Sequence, residues 1–202
     1  MEFMQVHISK GSGKLELINS ISTNTLTNDY CTKQAKNVNS ICNVCYSQKS
    51  LKTFRKNMVN VLDRNSRLLS EQLIQKSLLP TIFNSYFRFN SHGELINLIH
   101  LENLVNIAKK NKHCNFTLWS KRYDLITIFF DTNKKPKNLF LVYSNSKLNK
   151  PIDKPVKYFD KTFNNITKDK VNDFKINCFS KCKDCLLCYT KNKTVTIIEK
   201  VK

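Results

Sequence analysis

Apolar residues come in short bursts separated by polar stretches rich in Asn and Lys. Tyr86-Phe87-Arg88-Phe89 alternates with the period of a half-buried strand. Cys114–Trp119, Leu139–Tyr143 and Thr194–Ile198 are further runs of β-branched and aromatic character, and each predicts a strand. Elsewhere the spacing is helical. Leu51, Phe54, Met58, Val61 and Leu62 predict a helix over about 51–62, and Leu68, Leu69, Leu73 and Ile74 one over about 66–79 that Pro80 stops. Leu101, Leu104, Val105, Ile107 and Ala108 predict a helix over 101–111, and a shorter one is expected over 122–130. Near the start, Gly11-Ser12-Gly13 reads as a turn between strands at Val6–Ile8 and Leu15–Leu17. It is a poor phosphate loop, because no second half of a nucleotide motif follows.

The alternation of strands and helices predicts right-handed βαβ crossovers, and so an α/β fold with an open, mainly parallel sheet. One domain is expected. Residues 1–48 carry N-terminal strands and a first cysteine group, 49–160 the α/β core, and 161–202 a cysteine-rich segment with a closing strand.

Composition sharpens this in two ways. The 34 Lys and Arg against 15 Asp and Glu give a formal charge of +19, a field that attracts nucleic acid or another polyanion. An AT-rich genome would also load the surface with scattered lysines. No apolar run approaches the roughly 20 residues of a membrane helix, so no membrane partner is expected. Met1–Lys14 has no apolar segment of leader length, which predicts a cytoplasmic protein.

The eight cysteines carry the chemistry. In such a compartment, closely spaced cysteines point to metal rather than disulfides. The C-terminal group is Cys178, Cys182, Cys185 and Cys188, four thiols in eleven residues. The N-terminal group is Cys31, Cys42 and Cys45. Three thiols leave a tetrahedral zinc site open, but they hold three irons of a four-iron cluster and leave the fourth for another ligand. Alternatively the two groups meet, stapling the chain ends at a single site. A [4Fe-4S] cluster is expected, with zinc as the alternative. Cys114 reads as a core thiol.

In a parallel sheet the carboxyl ends of the strands form the binding edge. Strand Tyr86–Phe89 runs there into Ser91-His92-Gly93-Glu94, where a rare glycine permits a positive φ and Glu94 and His92 offer polar chemistry. The next strand would bring Trp119 and Lys121 to the same edge, a stacking face and a cation. His7, His100 and His113 read as structural.

Cys42-x2-Cys45-Tyr46 followed by helices, and then by a strand ending in Ser91-His92-Gly93-Glu94, resembles the core of the radical-SAM superfamily. The resemblance implies a partial (β/α) barrel with a four-iron cluster at its mouth. Cys31, Cys42 and Cys45 would be the cluster ligands, and Ser91–Glu94 the turn that meets the methionine end of S-adenosylmethionine. The spacing here is ten then two residues where that superfamily has three then two, and His92 stands where it has Gly. The blocks Cys31–Tyr46, Phe87–Glu94, Leu118–Lys121 and Cys178–Tyr189 together resemble a family of cysteine-rich proteins of bacteriophages and mobile elements. That resemblance implies the cytoplasm of a bacterial host as the setting.

Overall fold

The computed structural model describes residues 5–201. The predicted N-terminal strand region begins at Met1, and its first four residues lie outside that range. Six strands form one sheet in the order of the sequence: β1 (Asn19–Ile21), β2 (Tyr86–Phe89), β3 (Asn115–Ser120), β4 (Leu139–Leu148), β5 (Lys161–Ile166) and β6 (Thr196–Lys200). Every neighbouring pair is parallel. The fold is therefore α/β with an open, all-parallel sheet. Strands added in sequence order by crossovers of one hand keep their helices on one face.

That face is covered by α3 (Val59–Ser70), α4 (Leu98–Lys110) and α5 (Tyr123–Thr132). Period-two alternation decides which strand residues meet them. Phe87, Phe89, Phe116, Leu118, Leu139 and Leu141 point into this core with Leu69, Leu104, Val105 and Ile126. Phe89 stacks on Phe116 at 4.9 Å between ring centroids. Each such side chain contributes roughly 1.5–3 kcal/mol through burial. Cys114 is fully buried here, as a core thiol.

The alternate residues face the other way. Tyr86, Trp119, Val142, Phe163 and Ile197 pack there against Cys188 and the fully buried Tyr189. The C-terminal segment thus lies across the face that has no long helix.

The prediction is corrected at several elements. The first strand is Asn19–Ile21, not Leu15–Leu17: Leu17 is exposed with φ 65°, after a short 3-10 turn at Gly13–Leu15. The segment predicted as a helix over 51–62 contains the end of α2 (Tyr46–Lys52), a 3-10 turn at Lys56–Met58 and the start of α3. α3 then stops at Ser70, well short of Pro80. The buried Asn103 of α4 explains this stop. Its Nδ2 donates to the carbonyls of Leu69 and Gln72, and Asn97 Nδ2 donates to that of Ser70, so the last turn of α3 is satisfied by side chains. Strand β5 was not predicted.

Candidate functional site

The chain leaves β2 through Asn90 in the left-handed region, with φ 58°. Gly93 follows with φ 83°, and a Cβ there would lie 2.1 Å from Thr23 Oγ1. Glycine is required at this point for both its dihedral and its close approach to the segment after β1.

Each polar residue of the turn holds a neighbouring element. Ser91 Oγ lies 2.9 Å from Ser20 Oγ and 2.7 Å from Ser22 Oγ. The Glu94 carboxylate is buried and accepts from Ser120 Oγ at 2.6 Å, Lys121 N at 2.7 Å and Leu95 N at 2.8 Å. Burial raises its pKa, while the Lys121 charge and these hydrogen bonds oppose the rise. The main-chain carbonyl of Glu94 accepts from Asn28 Nδ2 at 3.0 Å. Asn28 in turn caps α1 (Asp29–Ala35) by accepting from Cys31 N.

His92 reaches the other cysteine-bearing loop. Arg55 only donates, so His92 Nε2 accepts from Arg55 Nη1 at 3.1 Å, and Nδ1–H donates to Ser47 Oγ at 2.6 Å. Ser47 lies in α2, two residues after Cys45. Burial, followed by Arg55 and Arg88, lowers the His92 pKa to about 4, so the ring is neutral near pH 7.

Cys42 and Cys45 occupy the 3-10 turn Ile41–Val44 and the residue after it. Ser40 Oγ accepts from Cys42 N, and Ser40 forms an isolated bridge with Lys147 at the end of β4. Burial pushes the Cys31 thiol pKa up, and the nearby Glu94, Cys42 and Cys45 add to this while Lys121 opposes it.

One pocket of about 170 Å³ lies at the carboxyl ends of β2, β3 and β4. Cys31, Cys42, Cys45, Ser91, His92, Gly93, Glu94, Trp119 and Lys121 all line it. The N-terminal cysteines, the turn Ser91–Glu94, Trp119 and Lys121 are thus brought to one place, whereas Arg122, a second cation just after β3, does not line it. Lys121 also donates from Nζ to Ser144 Oγ at 2.9 Å. Several lining residues were missed, among them Thr25, Tyr30, Ser47, Gln48 and Arg88. Arg88 lies 4.0 Å above the Trp119 ring, and the buried Asn90 has an unpartnered Oδ1. The only sequence signal for Arg88 was a cation inside an otherwise aromatic strand.

A single site joining both chain ends finds no support among the described residues. None of the four C-terminal cysteines lines this pocket. Cys178 N donates to Ile198 O, and Asn177 pairs with Thr196 and Ile198, which draws this segment along β6. Cys188 and Tyr189 then fold under the sheet beside Tyr86, at the start of β2, whereas the pocket lies beyond its end. Lys14 Nζ donates to Cys178 Sγ at 3.2 Å. Among the described residues, no three or more His, Cys, Asp or Glu side chains gather as ligands of one metal ion would.

The remaining histidines are structural. His100 is fully buried, and its Nδ1 accepts from Ile96 N. His113 Nε2 donates to Ile82 O, and the backbone of His7 pairs with Asn65.

The family described as Gene product 88 matches residues 7–173. The chain belongs to this family. It is a family of phage type, as the second resemblance implies. The matched span holds the whole pocket and ends before Cys178. No curated protein and no solved structure matches the chain. Among the described residues no helix is long and apolar enough to cross a membrane.

Proposed function

We propose that this member of the Gene product 88 family is an iron–sulfur protein on a radical-SAM-like partial barrel. Cys31, Cys42 and Cys45 would hold a four-iron cluster, and Ser91–Glu94 with Trp119 and Lys121 would receive S-adenosylmethionine. The observation that carries this reading is the convergence of all nine residues on one pocket at the carboxyl edge of a sequentially wound parallel sheet.

The donor set fits. Three free, half-buried thiols share the pocket. Burial opposes thiolate formation at Cys31, and a cationic cluster would offset that cost. Lys121 and Arg88 supply positive charge beside the buried Glu94, a combination suited to an amino-acid zwitterion. Asn90 Oδ1 and Trp119 Nε1 supply an acceptor and a donor without protein partners. When bound, such a cluster supplies an iron site open to a ligand and a one-electron reductant. The protein's own part is to fix the cysteine loops: Asn28 orders the backbone at Cys31, and neutral His92 anchors α2 just after Cys45.

A structural zinc site takes four protein donors, and three cysteines alone leave it one short. The C-terminal cysteines are a separate thiol site in this proposal: burial raises the pKa of Cys178, Cys182 and Cys188, and the Lys14 and Arg88 charges oppose the rise.

Anaerobic purification followed by iron, sulfide and zinc analysis tests the reading. About four irons per chain and a broad band near ~400 nm are expected. Both should be lost in Cys42→Ser and Cys45→Ser and kept in Cys185→Ser. Reduced protein should change its electron paramagnetic resonance spectrum on addition of S-adenosylmethionine. A colourless protein carrying only zinc overturns the cluster and favours a zinc-stabilised binding protein without catalysis.

A further inference from the structure

From Tyr30 to Leu62 the chain has no Asp or Glu and six Lys or Arg. This acid-free stretch contains both cysteine loops, and so forms one wall of the pocket. Its outer surface carries three large apolar side chains close together in sequence: Val44, Tyr46 and Phe54 are 62 %, 63 % and 66 % exposed. The Tyr46 and Phe54 rings lie 6.4 Å apart and tilted, with the Arg55 guanidinium 5.9 Å from the Phe54 ring. Lys49, Lys52 and Lys56 are exposed around them. α2 therefore has two sides: Ser47 and Gln48 line the pocket, while Tyr46 and Lys49 face solvent.

We infer that the surface formed by α2 and the 3-10 turn after it docks single-stranded nucleic acid. Exposed aromatic faces set among cations bind bases by stacking and phosphates by charge. Alternating-sign charge, the usual mark of a solvated helix face, is absent here. The surface stands on its own residues. Only the consequence that a docked strand runs past the pocket mouth, making a nucleotide the substrate class, rests on the functional reading above.

The test is fluorescence anisotropy of the full chain with labelled single-stranded DNA and RNA oligonucleotides, and with duplex DNA, across a salt series. Saturable binding of the single strands is expected, with a log–log salt slope of about −2 to −3. Tyr46→Ala and Phe54→Ala should each weaken it about tenfold. Lys52→Glu with Lys56→Glu should weaken it at least as much and flatten the slope. Lys109→Glu with Lys134→Glu, exposed at the opposite end of the strands, should change it less than about twofold. Circular dichroism of each variant separates lost binding from lost fold. Absence of binding at low salt overturns the inference. Equal losses in the distal pair overturn it in favour of a diffuse field from the +19 charge. Binding of an acidic polypeptide but of no oligonucleotide overturns it in favour of a protein partner. The native chain distinguishes the two readings: a colourless native protein that still binds oligonucleotide leaves this surface standing while the cluster reading falls, and an iron-loaded one that binds none does the reverse.

Discussion

Asn28 holds Cys31 to Glu94. Its Nδ2 donates to the Glu94 carbonyl at 3.0 Å, and its Oδ1 accepts from the Cys31 amide at 3.0 Å. A single amide side chain thus connects the turn after β2 to the first residue of the cysteine trio. Its neighbour Thr23 makes a parallel tie, donating its own N–H to His92 O.

Replacing Asn28 with Ala removes a helix cap and leaves a buried carbonyl without its donor. A loss of about 1–3 kcal/mol in urea-monitored stability is expected. Asn28→Asp keeps the cap to Cys31 but sets a buried carboxylate oxygen against the Glu94 carbonyl, and so should be no more stable than the Ala variant.

Gly93→Ala meets both a positive φ and the Thr23 hydroxyl and carbonyl, at 2.1 and 2.7 Å from the new Cβ. The expected cost exceeds about 2 kcal/mol, read as a lower unfolding midpoint with unchanged slope. Thr23→Ala with Gly93→Ala removes the hydroxyl clash but should relieve little of the cost, because the Thr23 backbone carbonyl and the positive φ remain.

His100 gives the fold an acid-sensitive element. Burial holds its pKa down at about 3, against 6.5 in the unfolded chain. The unfolded state therefore takes up the proton first, and the stabilising contribution present above pH 6.5 is lost progressively as the pH falls toward about 3. His100→Asn keeps an acceptor for Ile96 N without titrating. Between pH 7 and pH 5 the native chain should lose about 2 kcal/mol more than this variant. Parallel urea curves at the two pH values check it.

Cys114 is the internal control among the cysteines. It lies in the helix-side core, and burial alone pushes its pKa up to about 12. Cys114→Ala should cost about 1 kcal/mol of stability and leave metal content unchanged. Loss of metal in this variant would show that the cysteine assignment is wrong.

The elements legible in the sequence are those whose burial follows a simple period. β2 runs over Tyr86–Phe89 as its alternation predicts, and α4 carries its apolar stripe toward the sheet. β5 was illegible because three of its five buried positions, Lys161, Thr162 and Asn164, are polar. Lys161 donates to Thr194 O, Thr162 to Ile152 O, and Asn164 shares hydrogen bonds with Asn145 and Ile152. These partners come from distant segments, so nothing local marks Lys-Thr-Phe-Asn-Asn-Ile as interior. β1 is three residues long and equally opaque. At the pocket, residue types that carry recognisable chemistry were found, and supporting ones were not. Asn28, Ser47 and Arg55 act by reaching across the fold, and their roles depend on contacts 37 to 66 residues away in sequence.

No strand pairing joins β1 to β6, yet Lys14, shortly before β1, forms an ion pair with Glu199 on β6. Glu16 likewise pairs with Lys181 and Lys183. The two borders of the sheet are fastened partly by charges, of which bulk salt screens the more exposed Glu16 pairs most, where a closed ring would use a continuous ladder of amide hydrogen bonds. The molecule therefore has a built-in line of weakness. Added salt should loosen it there first, exchanging amide hydrogens along β6 while those of β3 stay protected.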